Sequence, residues 1–292
     1  MEKYLNSNLI TEASEFKKTK SGEKSEEYDT EEEKVGGFFI VRINVKKATE
    51  NYRKGRYVTV YSSRVHQLSA EEQRELSLLI AGELKRMLCL YIEKNKKIGE
   101  FLVAGIGNRE IASDSLGPLT AEKIHVTRHI KQMEEEVFKK MKKHSVSAIN
   151  GGVMGETGIN TAEIIKGVVE KISPDAVIAV DALASKSTES LGAVIQISDS
   201  GISPGAGIGN RFSRVDAESI GVPVIAIGVP TVVSASTLVG DVLLRQGIKI
   251  TASISRELER GRKFFVAPKE CDIICKIAAH VLADGINGAL TL

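Results

Sequence analysis

From residue 36 onward, short apolar runs alternate with amphipathic stretches, and that alternation predicts strands and helices in turn. Phe39, Val41, Ile43 and Val45 alternate with less apolar positions, the period-two pattern of a half-buried strand, and a second β-rich run follows from Tyr57 to Tyr61. Ser69 stands three residues before Glu72, the spacing of a capping box. Leu76, Leu79, Ile80, Leu84, Met87, Leu88 and Tyr91 then recur at helical spacing. Residues 101–106, 176–180, 193–197 and 223–229 are continuous β-branched runs without a polar face. Such runs suit strands covered by helices on both faces. Further helices are predicted over 119–143, 161–171, 232–245 and 271–282. Residues 36–292 therefore read as a single α/β domain with a mostly parallel central sheet flanked by helices.

Residues 1–35 break the pattern. They are polar, with a charge-dense run over 17–34, and bury too little apolar surface to offset the entropy of ordering. The prediction is a mobile N-terminal segment. Composition adds one point to this division. The chain's formal +2 conceals a head of ten acids and six lysines, net −4 over residues 1–34, and a body of net +6. Hydrophobic residues at 42% and charged residues at 27% otherwise describe an ordinary globular protein. Three cysteines do not make a disulfide framework, and Cys271 and Cys275, four apart in a helical pattern, read as buried free thiols. The opening Met1-Glu2-Lys3-Tyr4 lacks a signal peptide's apolar run, and no stretch of about 18 apolar residues occurs. The expectation is an intracellular protein in a reducing, cytoplasmic setting, without a membrane span.

Candidate chemistry follows from the strands, because ligands of open α/β sheets bind beyond the strands' carboxyl ends. The run 101–106 leads through Gly107 and Asn108 to Asp114, and the run 176–180 leads directly to Asp181. If the two strands are neighbours, the two carboxylates face each other. Such a pair does not ionise together easily, so one member keeps its proton. The ionised member can then act as base on a water while the other polarises a carbonyl. The competing reading is structural, with Asp114 capping a helix and Asp181 bonding loop amides. Gly105, Gly107, Gly152 and Gly155 are expected to let the backbone approach a bound peptide.

Other motifs are weaker. Gly205-Ala206-Gly207-Ile208-Gly209-Asn210 follows no clear βαβ entry, so a dinucleotide loop is not expected. His125 and His129 stand four apart without the glutamate or third ligand of a zinc site, so no metal is assigned. Asp199 and Asp241 read as structural.

Several runs of residues together resemble the germination protease family of endospore-forming bacteria. They are Gly105-Ile106-Gly107-Asn108, Asp114-Ser115-Leu116-Gly117-Pro118, Val126-Thr127-Arg128-His129 and Gly152-Val153-Met154-Gly155-Glu156-Thr157-Gly158. Val180-Asp181-Ala182-Leu183-Ala184, Gln196-Ile197-Ser198-Asp199-Ser200-Gly201-Ile202, Ile225-Ala226-Ile227-Gly228-Val229-Pro230-Thr231 and Val266-Ala267-Pro268-Lys269-Glu270 continue the series in the family's order. The resemblance implies a phosphorylase/hydrolase-like α/β fold akin to hydrogenase-maturation peptidases. It further implies an aspartic endopeptidase that degrades small acid-soluble spore proteins at germination, with its two essential aspartates falling on Asp114 and Asp181. It implies a homotetramer in the spore core, with no cofactor, no direct nucleic-acid binding and no membrane association. The residue that reads an acidic substrate side chain is unidentified; Arg109, Arg128 and Lys186 are the candidates.

The same resemblance implies a zymogen that clips its own head, cutting after an acidic residue with a hydrophobic residue next. Thr11-Glu12-Ala13-Ser14-Glu15-Phe16 is similar to the family's substrate sequences. Asn8-Leu9-Ile10 lies where an Asp-Leu-Ala processing site would stand, although Asn8 is not acidic. The expected cut lies within 12–16, between Glu15 and Phe16, with Glu12 and Asn8 as alternatives. Two other readings remain open: a metal-dependent maturation peptidase of similar fold, and a non-catalytic module that binds spore proteins.

Overall fold

The computed structural model describes residues 9–10, 27–48, 53–91, 99–205, 214–261 and 264–292. It opens with a hairpin, β1 (Tyr28–Val35) and β2 (Phe38–Val45), whose two-residue turn places Gly36 at φ 58°. β3 (Gly55–Tyr61) and the long helix α1 (Ala70–Leu88) follow. The capping box is present: Ser69 N–H donates to Glu72 Oε2 at 2.8 Å, and Glu72 N–H donates to Ser69 Oγ at 3.3 Å.

The next segment runs β4 (Glu100–Ile106), α2 (Leu116–Ala121), α3 (Arg128–Met133), α4 (Glu135–Met141), β5 (Ser145–Gly152), α5 (Met154–Thr157) and α6 (Thr161–Ile172). It continues with β6 (Ala176–Ser185), β7 (Val194–Ser198), α7 (Ala217–Ile220) and β8 (Val224–Ser234). The chain closes with α8 (Ala235–Arg245), α9 (Ala252–Gly261), β9 (Phe265–Val266) and α10 (Cys271–Ala289).

One sheet joins all the strands in the order β1-β2-β3-β7-β8-β6-β4-β5, with β9 on β8. β8, β6, β4 and β5 are mutually parallel, and β7, β3, β2 and β1 extend the sheet antiparallel. The α/β class read from the sequence holds, and the run 193–197 belongs to the antiparallel extension. The parallel strands lack a polar face because both faces are covered. Phe101, Val103 and Ile178 face a core built with α1 and α10. Leu102, Ala104 and Val177 face a second core built with Ile165 and Val169 of α6.

Four expectations change. The predicted 119–143 helix is three helices, because Thr127 leaves helical geometry to bond β5: its Oγ1 donates to His144 O and accepts from Val146 N–H. The 232–245 helix begins only at Ala235, since Val232 and Val233 complete β8 and Ser234 caps α8. In β2 the buried set is Phe38, Ile40, Ile43 and Val45, while Phe39 is 40% exposed. The first two face the α1 core and the last two face a smaller cluster with Ile10 and Tyr57, so the strand changes its covered face midway.

The fourth change concerns the head. Its last eight residues are β1, an ordered strand whose acids meet a cation across the hairpin. Arg42 contacts Glu31 at 3.2 Å and Glu33 at 2.8 Å, and binds the buried Glu83 of α1 at 2.7 Å. Leu9 and Ile10 are fully buried, with Ile10 N–H donating to Gln196 Oε1 at 2.7 Å. At both described stretches the head is thus packed against the body. Asn8, Glu12, Glu15 and Phe16 lie outside the described residues.

Candidate active site

The two aspartates come together because their strands are neighbours. β4 and β6 pair in parallel, the last rung joining Gly105 to Val180. β6 continues to Ser185, so Asp181 lies within the strand, one residue past the β4 ladder, and pairs with Gly228 of β8. The chain leaving β4 turns at Gly107, φ 121°, and folds back over this gap. A Cβ on Gly107 would stand 2.1 Å from the carbonyl oxygen of Asp114, so only glycine permits the approach. Gly105 likewise makes room for the chain itself, since a Cβ there would lie 2.3 Å from Gly117 O. Gly105 serves internal packing, whereas Gly107 and Gly155 both line the cavity, Gly155 with open space around its Cβ position.

Asp114 does not cap α2, whose N-terminal residue Ser115 makes no side-chain cap. Its Oδ2 accepts instead from Asn108 N–H at 2.7 Å, and Thr231 Oγ1 donates to the preceding carbonyl, Ser113 O, at 2.6 Å. The loop is therefore tied to β4 at one end and to β8 at the other. Asp181 Oδ1 accepts from Ala182 N–H at 2.8 Å. Both side chains line one cavity of about 520 Å³.

Their protonation differs. Asp181 is buried, and that burial, reinforced by the charge of Asp114, pushes its carboxyl well above the usual aspartate range against the opposing Ala182 N–H. Asp114 is half-buried. Burial raises it, the Asn108 N–H lowers it, and the carboxylate of Glu156 raises it again. The charge of Asp114 raises Asp181, which fits an order in which Asp114 ionises while Asp181 still holds its proton. A water between one ionised and one protonated carboxyl has a base on one side and a donor on the other, the arrangement that hydrolysis of an amide needs.

Apolar walls flank the pair: Ile106 and Val153 inside, with Ile111 and Met154 exposed at the edge. Asn160 and Thr161, at the start of α6, complete the lining together with Pro204 and Gly205. Sequence reading missed Asn160 as a site residue. Its cap signature, Asn before an apolar helical run, marked a helix start and nothing more.

The other candidates lie elsewhere. Arg109 pairs with Glu122 at 3.1 Å, Arg128 begins α3, and Lys186 follows β6; none lines the cavity. His125 approaches Lys143 Nζ at 3.1 Å, and among the described residues no three His, Cys, Asp or Glu side chains are grouped to hold a metal. Cys271 and Cys275 are buried free thiols, as read from their spacing. Asp199 accepts from Arg56 N–H and Tyr91 Oη, and Asp241 from Thr188 N–H, both structural roles. Among the described residues no helix is long and apolar enough to cross a membrane.

The sequence model of the germination protease family matches residues 5–247. The germination protease of Caldanaerobacter subterraneus subsp. tengcongensis is 37% identical, over 89% of this chain and 86% of that protein. That of Priestia megaterium is 40% identical, over 86% of this chain and 83% of that protein. Among solved structures, a NiFe hydrogenase maturation protease from Thermococcus kodakarensis KOD1 is 18% identical, covering 65% of this chain and 94% of that one with a TM-score of 0.32.

Proposed function

The chain belongs to the germination protease family, and from that premise we propose that it is an aspartic-type endopeptidase whose catalytic pair is Asp114 and Asp181. The observation that carries the reading is one cavity holding a buried carboxyl and a half-buried one whose charge raises the first. Asp114 acts as base. As the oxygen of a held water forms its bond to the scissile carbonyl carbon, Asp114 takes the water's proton and the carbonyl π pair moves onto oxygen. Asp181, protonated, donates to that oxygen. Collapse of the intermediate breaks the C–N bond, the nitrogen takes the proton from Asp114, and an acid and an amine leave.

The substrates in this reading are small acid-soluble spore proteins, cut after Glu or Asp when germination begins. The apolar lining by Ile106, Ile111, Val153 and Met154 suits the hydrophobic residue on the far side of the bond. An acidic side chain read by Arg109, Arg128 or Lys186 would be met beyond that lining, along the extended peptide. The enzyme works as a homotetramer in the spore core, made as a zymogen that cuts itself between Glu15 and Phe16. Incubation of full-length and head-deleted protein with a DNA-bound spore protein tests the reading. Fragments ending in Glu or Asp are expected from the active form and none from Asp114→Ala or Asp181→Ala. Undiminished cleavage by either folded variant would rule out the pair.

A further inference from the structure

Asn160 holds a donor that the reaction above does not use. Its Oδ1 accepts from Ala162 N–H at 3.0 Å, capping α6. A backbone N–H only donates, so the acceptor is the oxygen, and the orientation of the amide is thereby fixed. The Nδ2 is left with two N–H groups and no hydrogen-bond partner among the described residues. The residue is only 8% exposed, and it lines the cavity that holds Asp114 and Asp181. The donor nitrogen is not sealed from solvent, so an acceptor entering the cavity can take the place of water beside it.

Two further features set that donor in place. α6 has 12 residues, and its N-terminus, the positive end of its dipole, opens at Asn160. Thr161 ties this end to the sheet, its Oγ1 donating to Gly152 O at the end of β5 at 2.9 Å. A fixed neutral donor at the positive end of a helix favours negative charge on oxygen, and in this cavity hydrolysis creates such charge on the scissile carbonyl.

We propose that Asn160 is a further catalytic residue, its Nδ2 donating to the carbonyl oxygen of the bond being cut. The inference rests on the aspartic reading above. When the water's oxygen bonds to the carbonyl carbon and the π pair moves onto oxygen, Asp181 and Asn160 both donate to that oxygen. When the C–N bond breaks, the pair returns to the carbonyl and the contact with Asn160 weakens. Asn160 itself neither gains nor loses a proton.

The test is kinetic. Asn160→Ser and Asn160→Asp each keep an oxygen able to cap α6 and remove the amide donor; the serine variant adds no charge, and the aspartate variant keeps the shape. Both are assayed against a peptide pair with Glu or Gln before the cleaved bond, alongside Asp114→Asn and Asp181→Asn. The expected result for Asn160→Ser is a kcat lowered about 100- to 1000-fold for both peptides, with KM and Tm unchanged. Wild-type kcat in Asn160→Ser, or a loss confined to the Glu peptide, would overturn the proposal. Should the serine variant not fold, full activity in Asn160→Asp overturns it equally. Dead aspartate variants beside a fully active Asn160→Ser would refute this inference alone, whereas active aspartate variants would refute the reading beneath it.

Discussion

Thr231, within β8 where its register against β6 shifts, donates from Oγ1 to the carbonyl oxygen of Ser113 at 2.6 Å, fixing the residue next to Asp114 from the opposite side of Asp181 in the sheet order. Thr231 is almost fully buried, so its hydroxyl is held in turn. Thr231→Val keeps the shape and removes the donor. It should cost about 1 kcal/mol in urea unfolding. A shift of the Asp114 carboxylate by a fraction of an ångström should lower kcat by more, up to about 100-fold. Thr231→Ser should restore both. Equal stability and equal kcat in the valine variant would deny the hydroxyl any positioning role.

The two carboxyls set a pH window. In the proposed mechanism, activity requires Asp114 ionised and Asp181 protonated. It should rise as pH climbs through the elevated value of Asp114 and fall as pH climbs through the higher value of Asp181. Stability follows a definite sign. Both folded-state values lie above the unfolded ones, so the stabilisation is complete below the unfolded value and is lost as pH rises through the folded one. Asp181→Asn removes that loss. It should lower kcat by about 10²- to 10⁴-fold while raising stability at neutral pH relative to wild type. Thermal melts across a pH series check it; a variant less stable than wild type at neutral pH contradicts the assignment.

Gly107 carries a sharper steric constraint. Gly107→Ala forces a Cβ to within 2.1 Å of Asp114 O at φ 121°, a conformation other residues rarely adopt. The loop must open, at a cost of at least about 1–3 kcal/mol and most of the activity. Gly155→Ala, with open space at its Cβ, should leave Tm unchanged. Comparable melting of the two variants would show that the loop does not need its tight turn.

How much of this was legible in the sequence depends on what each residue contacts. Asp114 and Asp181 were legible as candidates because unbroken apolar runs announce buried strands, and the first aspartate after such a run stands out. β5 was missed because Ser145–Gly152 mixes polar and apolar positions, as an edge strand does. The acids of β1 looked like a solvated tail because composition cannot register that Arg42 faces Glu31 across a hairpin. Asn160 offers the sequence only the signal of a helix start, and the cavity beside it is assembled from segments about 20 to 40 residues apart in the chain, which no local pattern encodes.

That hairpin gives a prediction of its own. Glu83 pulls the Arg42 guanidinium to still firmer protonation than usual, ahead of Glu33 and Glu31. Arg42→Met leaves the buried Glu83 with Arg86, at 3.2 Å, as its only ion-pair partner among the described residues, and should cost about 3 kcal/mol, the low end for a broken buried pair. Glu31→Gln, whose side chain is 70% exposed, should cost at most about 1 kcal/mol. Urea midpoints compare the two, and a larger loss for Glu31→Gln would place the pairing on the surface.

The head poses the last test. Leu9 and Ile10 are fully buried, each contributing about 1.5–3 kcal/mol to holding its segment in the body. A cut between Glu15 and Phe16 severs the covalent link while leaving those anchors in place. Release of residues 1–15 should therefore lag behind cleavage, and Leu9→Ala should shorten the lag by removing one anchor. N-terminal sequencing of the mature enzyme should begin at Phe16, and Asp181→Asn, unable to cut itself, should retain Met1. An active enzyme with Met1 intact would exclude processing as the route to activity. Release in step with cleavage would mean that Leu9 and Ile10 do not hold the segment once the chain is cut.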